Sequence, residues 1–203
     1  KERIIAHVEK HLETYMKYVE QMYAHPEIGN EEFETMALLA DALEALGFET
    51  QRAFVCPTGF QGVYQALKDG PVIPYLCEYD ALENLGHGCG HHMQGPSCLG
   101  AALAVKEVLT SVPYDLVVYG TPAEETFGGK INMLKAGCFQ DIDVALMMHG
   151  APDTCTDKKC LALYTYHVEF FGKKAQAEIA PEQGRSAFDA LLLAFQGVEF
   201  LRE

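Results

Sequence analysis

Apolar side chains at Ile4, Ile5, Val8, Leu12, Tyr15, Val19 and Met22 recur mostly three or four residues apart. That spacing lines one face of a helix, and the helix is expected to close near His25-Pro26, because the residue before proline avoids the helical region. A second helix is predicted over residues 31–46, stopped by Gly47. Residues 62–67 and 72–79 read as two strands, joined by a tight turn at Lys68-Asp69-Gly70-Pro71. A stretch dense in Gly, His and Cys follows at 86–92, then a helix over 97–109. Beyond it, a short apolar strand (115–120), a helix (129–136) and another apolar strand (143–149) alternate. Continuous apolar strands separated by helices predict an α/β domain, with a buried, mostly parallel sheet and helices on both faces. In such sheets, ligand chemistry collects where strands end in loops.

From residue 161 the pattern changes. Leu161, Leu163, Thr165, His167 and Glu169 alternate with Ala162, Tyr164, Tyr166, Val168 and Phe170, which predicts a long strand. After Gly172 and a polar loop, Ala187, Leu191, Leu192, Phe195 and Val198 mark a last helix. One strand and one helix cannot bury their own apolar faces. The expected organisation is therefore a larger unit over 1–160 and the beginning of a second, smaller α/β domain over 161–203.

Composition narrows the classes of function. The 203 residues are 49% hydrophobic and 22% charged, enough to bury a core. The formal net charge is -14, from 15 basic and 29 acidic residues, which argues against nucleic acid as a partner. The apolar runs are too short to cross a bilayer, and the opening residues do not read as a secretory signal. Cys56, Cys77, Cys89, Cys98, Cys138, Cys155 and Cys160 are scattered without a CxxC pair. That points to a reduced, cytoplasmic setting in which most of them act as small buried hydrophobes.

Three segments carry candidate chemistry. In Gly86-His87-Gly88-Cys89-Gly90-His91-His92, thiolate and imidazole suit zinc and its first-row neighbours, and the glycines let the backbone curl round an ion. A glycine-rich turn with a buried thiol and solvated imidazoles would fit the same string. Thr121-Pro122-Ala123-Glu124-Glu125 places two carboxylates directly after a buried strand. Consecutive extended residues point in opposite directions, so one carboxylate could ligate metal while the other serves as a general base, though a solvated surface pair is common. His149 closes the third apolar strand, where a lone imidazole is more often a packed residue than a ligand. Asp80, in Glu78-Tyr79-Asp80-Ala81-Leu82, suits a carboxylate that orients a ligand, or simply a turn cap. His25, His87 and His92 are weaker candidates, and His7, His11 and His167 read as ordinary helix or strand positions.

Together, Glu78-Tyr79-Asp80-Ala81-Leu82, the Gly86–His91 run, Gly120-Thr121-Pro122-Ala123-Glu124-Glu125 and Met147-Met148-His149 resemble, in order and spacing, the motifs of the M20 metallopeptidases. The likeness is to their amidohydrolase branch, which includes aminobenzoyl-glutamate hydrolases and related dipeptidases. The resemblance implies a site for two divalent metal ions, zinc or manganese, with Cys89, His91, Glu125 and His149 as ligands. It makes Glu124 the general base and Asp80 a supporting carboxylate. It also implies hydrolysis of an amide in an N-acyl amino acid, an aminobenzoyl-glutamate-like conjugate or a dipeptide by metal-activated water. The family fold adds a smaller lid domain that commonly mediates dimers, so a homodimer is expected at full length. Relatives continue past the point matching residue 203 to a further metal-binding His, so the site in this chain is expected to be incomplete. Two positions depart from the pattern. Gln176 stands where relatives carry a lid His, and Gln has no proton to titrate. His92 stands where relatives often carry Asn or Asp. Two other readings remain open at this point: a non-catalytic binding protein of the same fold, and a Cys89 nucleophile paired with His91 or His149.

Overall fold

Asp115–Gly120 (β4) is the strand about which the molecule is built, since every residue in it from Leu116 onward is buried. A computed structural model describes all residues except Asp157, Cys160 and Glu203, and divides the chain into two compact units, Lys1–Thr154 and Cys155–Glu203.

In the first unit, β4 pairs with Phe60–Gln65 (β2) on one side and Val72–Cys77 (β3) on the other. Glu49–Arg52 (β1) extends the sheet beyond β2, and Leu146–Met147 (β5) extends it beyond β3. The order is β1-β2-β4-β3-β5, with β4, β3 and β5 parallel and β2 antiparallel to both of its neighbours. Four strands thus run one way and β2 runs against them.

The expected tight turn between β2 and β3 does not join paired strands, because β4 inserts between them. Gly70 packs so closely on the Pro113 and Tyr114 backbone that a Cβ there would overlap it, and the Ala66 N–H bonds to Tyr114 O. The local turn residues are real, but a strand arriving from farther along the chain takes both edges, antiparallel to β2 and parallel to β3.

The pleat of β4 assigns its two faces. Leu116 and Val118 enter a core with Tyr15 and Met22 of Glu2–Ala24 (α1), Leu39 and Leu43 of Phe33–Ala45 (α2), and Leu99 and Ala102 of Gln94–Val108 (α3). Val117 and Tyr119 face the other way, toward Met133 of Gly129–Lys135 (α4). Helices therefore cover both faces, as the apolar runs predict. Of the α1 stripe only Tyr15 and Met22 are buried, while Ile5 and Leu12 are exposed. β1 is a polar edge strand with half its residues exposed, so no apolar alternation announces it in the sequence.

In the second unit, residues 161–170 form no strand among the described residues, and their apolar side chains, Leu161 at 97%, are exposed apart from the half-buried Phe170. Alternation predicts a strand only where a ladder partner exists, and the described residues supply none. Lys173 and Arg185 pair through both backbone N–H groups, and Ala187–Glu199 (α5) begins at Ser186, whose Oγ accepts the Asp189 N–H. Cys160 lies outside the described residues. No helix among the described residues is long and apolar enough to cross a membrane.

A Cβ built on Gly120 would overlap the fully buried Phe60 ring on the neighbouring strand. Gly120→Ala should therefore cost about 1–3 kcal/mol of stability, read by chemical denaturation of the purified protein. An unchanged midpoint would mean that β2 and β4 do not pack as described.

Candidate metal centre

Because β3, β4 and β5 run parallel, their C-terminal ends lie along one edge of the sheet. β3 leads into Glu78, Tyr79 and Asp80; β4 into Thr121 and then Glu124-Glu125; β5 into His149. The loop 86–92 brings Cys89 and His91 to the same edge, with Gly86 and Gly90 at φ +66° and +85°, where a side chain would be strained.

These residues converge. One potential ligand atom from each of Cys89, His91 and His149 lies within 4.8 Å of the others, and the same holds for His91, Glu124 and Glu125. Cys89 Sγ is 3.7 Å from His149 Nε2, and the His91 and His149 rings meet edge to face at 5.4 Å. His91 Nε2 stands 4.0 Å from both Glu124 Oε2 and Glu125 Oε1. Separate loops thus bring all six candidate side chains, Asp80 included, to one place.

His91 is only 1% exposed, and its tautomer follows from its neighbours. Nδ1 lies 3.0 Å from Asp80 O and 3.0 Å from Asp80 Oδ1. Both accept, so in the neutral ring Nδ1 carries the proton and Nε2 presents a lone pair. That lone pair is buried, has no hydrogen-bond partner and faces carboxylate oxygens; Glu125 Oε1 is likewise buried and unpartnered. Electron pairs facing one another in the protein interior repel unless a cation lies between them. Donor identity and the two orphaned atoms therefore fit a bound metal ion.

Asp80 does more than orient His91. Its Oδ2 accepts the Glu125 backbone N–H at 2.9 Å, tying the β3 loop to the β4 loop. Burial alone would raise its carboxyl, but the His91 and Glu125 hydrogen bonds outweigh burial and hold it below the ordinary value. For His91, burial favours the neutral ring, yet the Asp80 hydrogen bond and the Glu78 charge prevail and raise its pKa above the ordinary value. Glu124 is raised by burial and then by the charge of Glu78. Burial, followed by the neighbouring Glu125 carboxylate, pushes the Cys89 thiol up to about 12. Such a thiol is protonated at neutral pH, which disfavours the nucleophile reading; a cation is what would make it a thiolate.

Two carboxylates have roles that residue type and spacing do not announce. Glu78 is 2% exposed; its Oε1 pairs with Lys130, and its Oε2 accepts from Gln94 at 2.7 Å while standing 3.4 Å from His91 Nε2. Glu32, fully buried at the start of α2, accepts from Ala123 N and from Thr58 Oγ1, each at 2.7 Å. Ala123 sits at φ +56°, a conformation costly for alanine, immediately before Glu124. Glu78 is an acidic residue bordered by apolar neighbours, whereas Glu32 follows another glutamate and gives no local signal; nothing local identifies the partner 52 or 91 positions away. His92 packs beside Tyr23 and His87, at 5.1 and 5.0 Å between ring centroids. Burial lowers His87 to about 4, so it is neutral.

The model of peptidase family M20/M25/M40 matches residues 72–201, and the chain belongs to that family. It is 36% identical over 219 residues to one of the subunits of p-aminobenzoyl-glutamate hydrolase from Escherichia coli, covering 97% of this chain and 45% of that protein. It is 33% identical over 195 residues to the Xaa-Arg dipeptidase of Mus musculus, covering 90% of this chain and 45% of that protein. The chain thus spans about half the length of the curated relatives it matches. Among solved structures, the fold is shared with a dinuclear metal-binding M20 peptidase of Bacillus subtilis, at a TM-score of 0.63 and 24% identity, covering 69% of this chain and 43% of that one.

Replacing Glu32 with Ala would leave the Ala123 N–H and the Thr58 hydroxyl without acceptors in the interior. A loss of about 2–5 kcal/mol is expected in equilibrium unfolding. A loss below about 1 kcal/mol would mean that Glu32 does not hold the strained turn.

Proposed function

We propose that this chain forms the N-terminal part of a metal-dependent amidohydrolase acting on an N-acyl amino acid, an aminobenzoyl-glutamate-like conjugate or a dipeptide. The observation that carries the reading is the buried, unpartnered lone pair of His91 Nε2, aimed at a cluster of carboxylates. A proton there would satisfy one acceptor, whereas a divalent cation satisfies the imidazole, the thiol and the carboxylates together.

In this reading Cys89, His91, Glu125 and His149 hold two divalent ions, for which mixed sulfur, nitrogen and oxygen donors suit zinc or manganese. Bound ions would acidify a water molecule and polarise the scissile carbonyl. Glu124 is the base: exposed beside the cluster, it takes the proton of the attacking water and returns it to the departing amine. Asp80 keeps His91 in the tautomer that offers Nε2 and fixes the backbone of Glu125. The names of the relatives support a small amide or dipeptide as substrate. Residues 161–203 are proposed as the first part of a lid through which the full-length protein dimerises, the larger unit running over 1–160. Six free cysteines among the described residues support a reducing, cytoplasmic location.

In the full-length protein, Glu124→Gln should lower kcat by about 10²–10⁴-fold while elemental analysis finds the metal content unchanged. Exhaustive chelation should abolish turnover, and zinc or manganese should restore it. Hydrolysis at the original rate by metal-free protein would overturn the proposal.

A further inference from the structure

The Glu78 carboxylate is not explained by the ligand set above. It is almost wholly buried, it is held from two sides by Lys130 and Gln94, and its Oε2 is turned toward two imidazoles, 3.4 Å from His91 Nε2 and 3.9 Å from His149 Nε2. In the neutral ring His91 Nδ1 donates to Asp80, so Nε2 has no hydrogen for Glu78 and the contact sets a lone pair against a carboxylate. A proton on Nε2 would satisfy one acceptor of the cluster, whereas a cation would satisfy them together.

Metal geometry gives this spacing a meaning. Ligands bound at about 2.0–2.3 Å in a tetrahedron lie roughly 3.3–3.7 Å from one another. The Glu78–His91 separation of 3.4 Å and the Cys89–His149 separation of 3.7 Å fall in that range, and Glu78–His149 at 3.9 Å is just outside it. We infer that Glu78 is a further metal ligand, donating Oε2 to the ion held by His91 and His149, with Lys130 and Gln94 fixing the carboxylate in place. The inference rests on the metal-dependent reading of this site. Lys130 then has a definite task. Where four carboxylates and a thiol converge, it compensates one buried charge and so keeps the fold tolerable before a cation binds.

Metal affinity and the cobalt(II) absorption spectrum of the full-length protein test this without recourse to activity. Glu78→Gln keeps the Gln94 neighbourhood but removes the anionic donor. It should weaken zinc binding by about 10-fold or more in chelator competition, and shift the cobalt ligand-field bands. A second variant guards against misfolding of the first. Lys130→Met removes the compensating charge, so zinc should raise its melting temperature by more than it raises that of the unaltered protein. Unaltered affinity and spectrum in Glu78→Gln, or an equal zinc-induced shift in Lys130→Met, would overturn the assignment of Glu78 alone. An unaltered protein that binds no divalent ion would overturn the metal-dependent reading as well.

Discussion

The site depends on one carboxylate. Asp80 accepts from His91 Nδ1 with one oxygen and from the Glu125 backbone N–H with the other. In doing so it joins the loop after β3, the loop at 86–92 and the loop after β4, which are far apart in sequence. No strand ladder or core contact would set the angle of the His91 ring, because packing restricts where an imidazole sits more than how it turns. A charge-assisted hydrogen bond does set that angle, and it selects the tautomer too. Asp80 is buried, so neither water nor salt competes strongly for it.

Three buried carboxylates surround the strand ends, and each is made tolerable in a different way. Asp80 is satisfied by an imidazole N–H and a backbone N–H. Glu32 is satisfied by neutral donors alone, from Ala123 and Thr58, and burial accordingly raises its carboxyl. Glu78 faces the Lys130 cation, which overcomes the raising effect of burial and holds it below the ordinary value. The difference follows what each carboxylate touches. Glu32 acts on the backbone behind Glu124, where a neutral scaffold is enough. Glu78 and Asp80 face the cluster, where negative potential is the useful property.

Much of this is legible in the chain because strand ends and motif residues coincide. β4 falls on the predicted residues 115–120, and α4 departs from its predicted span by one residue. Cys89, His91, Glu124, Glu125 and His149 stand out by residue type and by position after apolar runs. What stays hidden is long-range. The insertion of β4 between β2 and β3 depends on which edge a later strand finds, and no local turn signal encodes it. Glu32 and Glu78 read as ordinary acids because their partners lie in other elements. The alternation at 161–170 marks a face built to be covered, and β5 likewise leaves Leu146 and Met147 partly exposed. Periodicity records what a segment is suited to bury, whereas burial depends on which neighbours are present.

The field that would draw cations into the site also governs Glu124. Burial and the charges of Glu78 and Glu125 make that carboxyl keep its proton more readily than an ordinary glutamate. Under the proposed function, divalent ions among the same carboxylates would oppose that field and favour the ionised form of Glu124. Binding and base strength would then be two consequences of one charge distribution. The exposed position of Glu124 leaves it free to meet water, while the buried His91 and Glu78 remain fixed behind it.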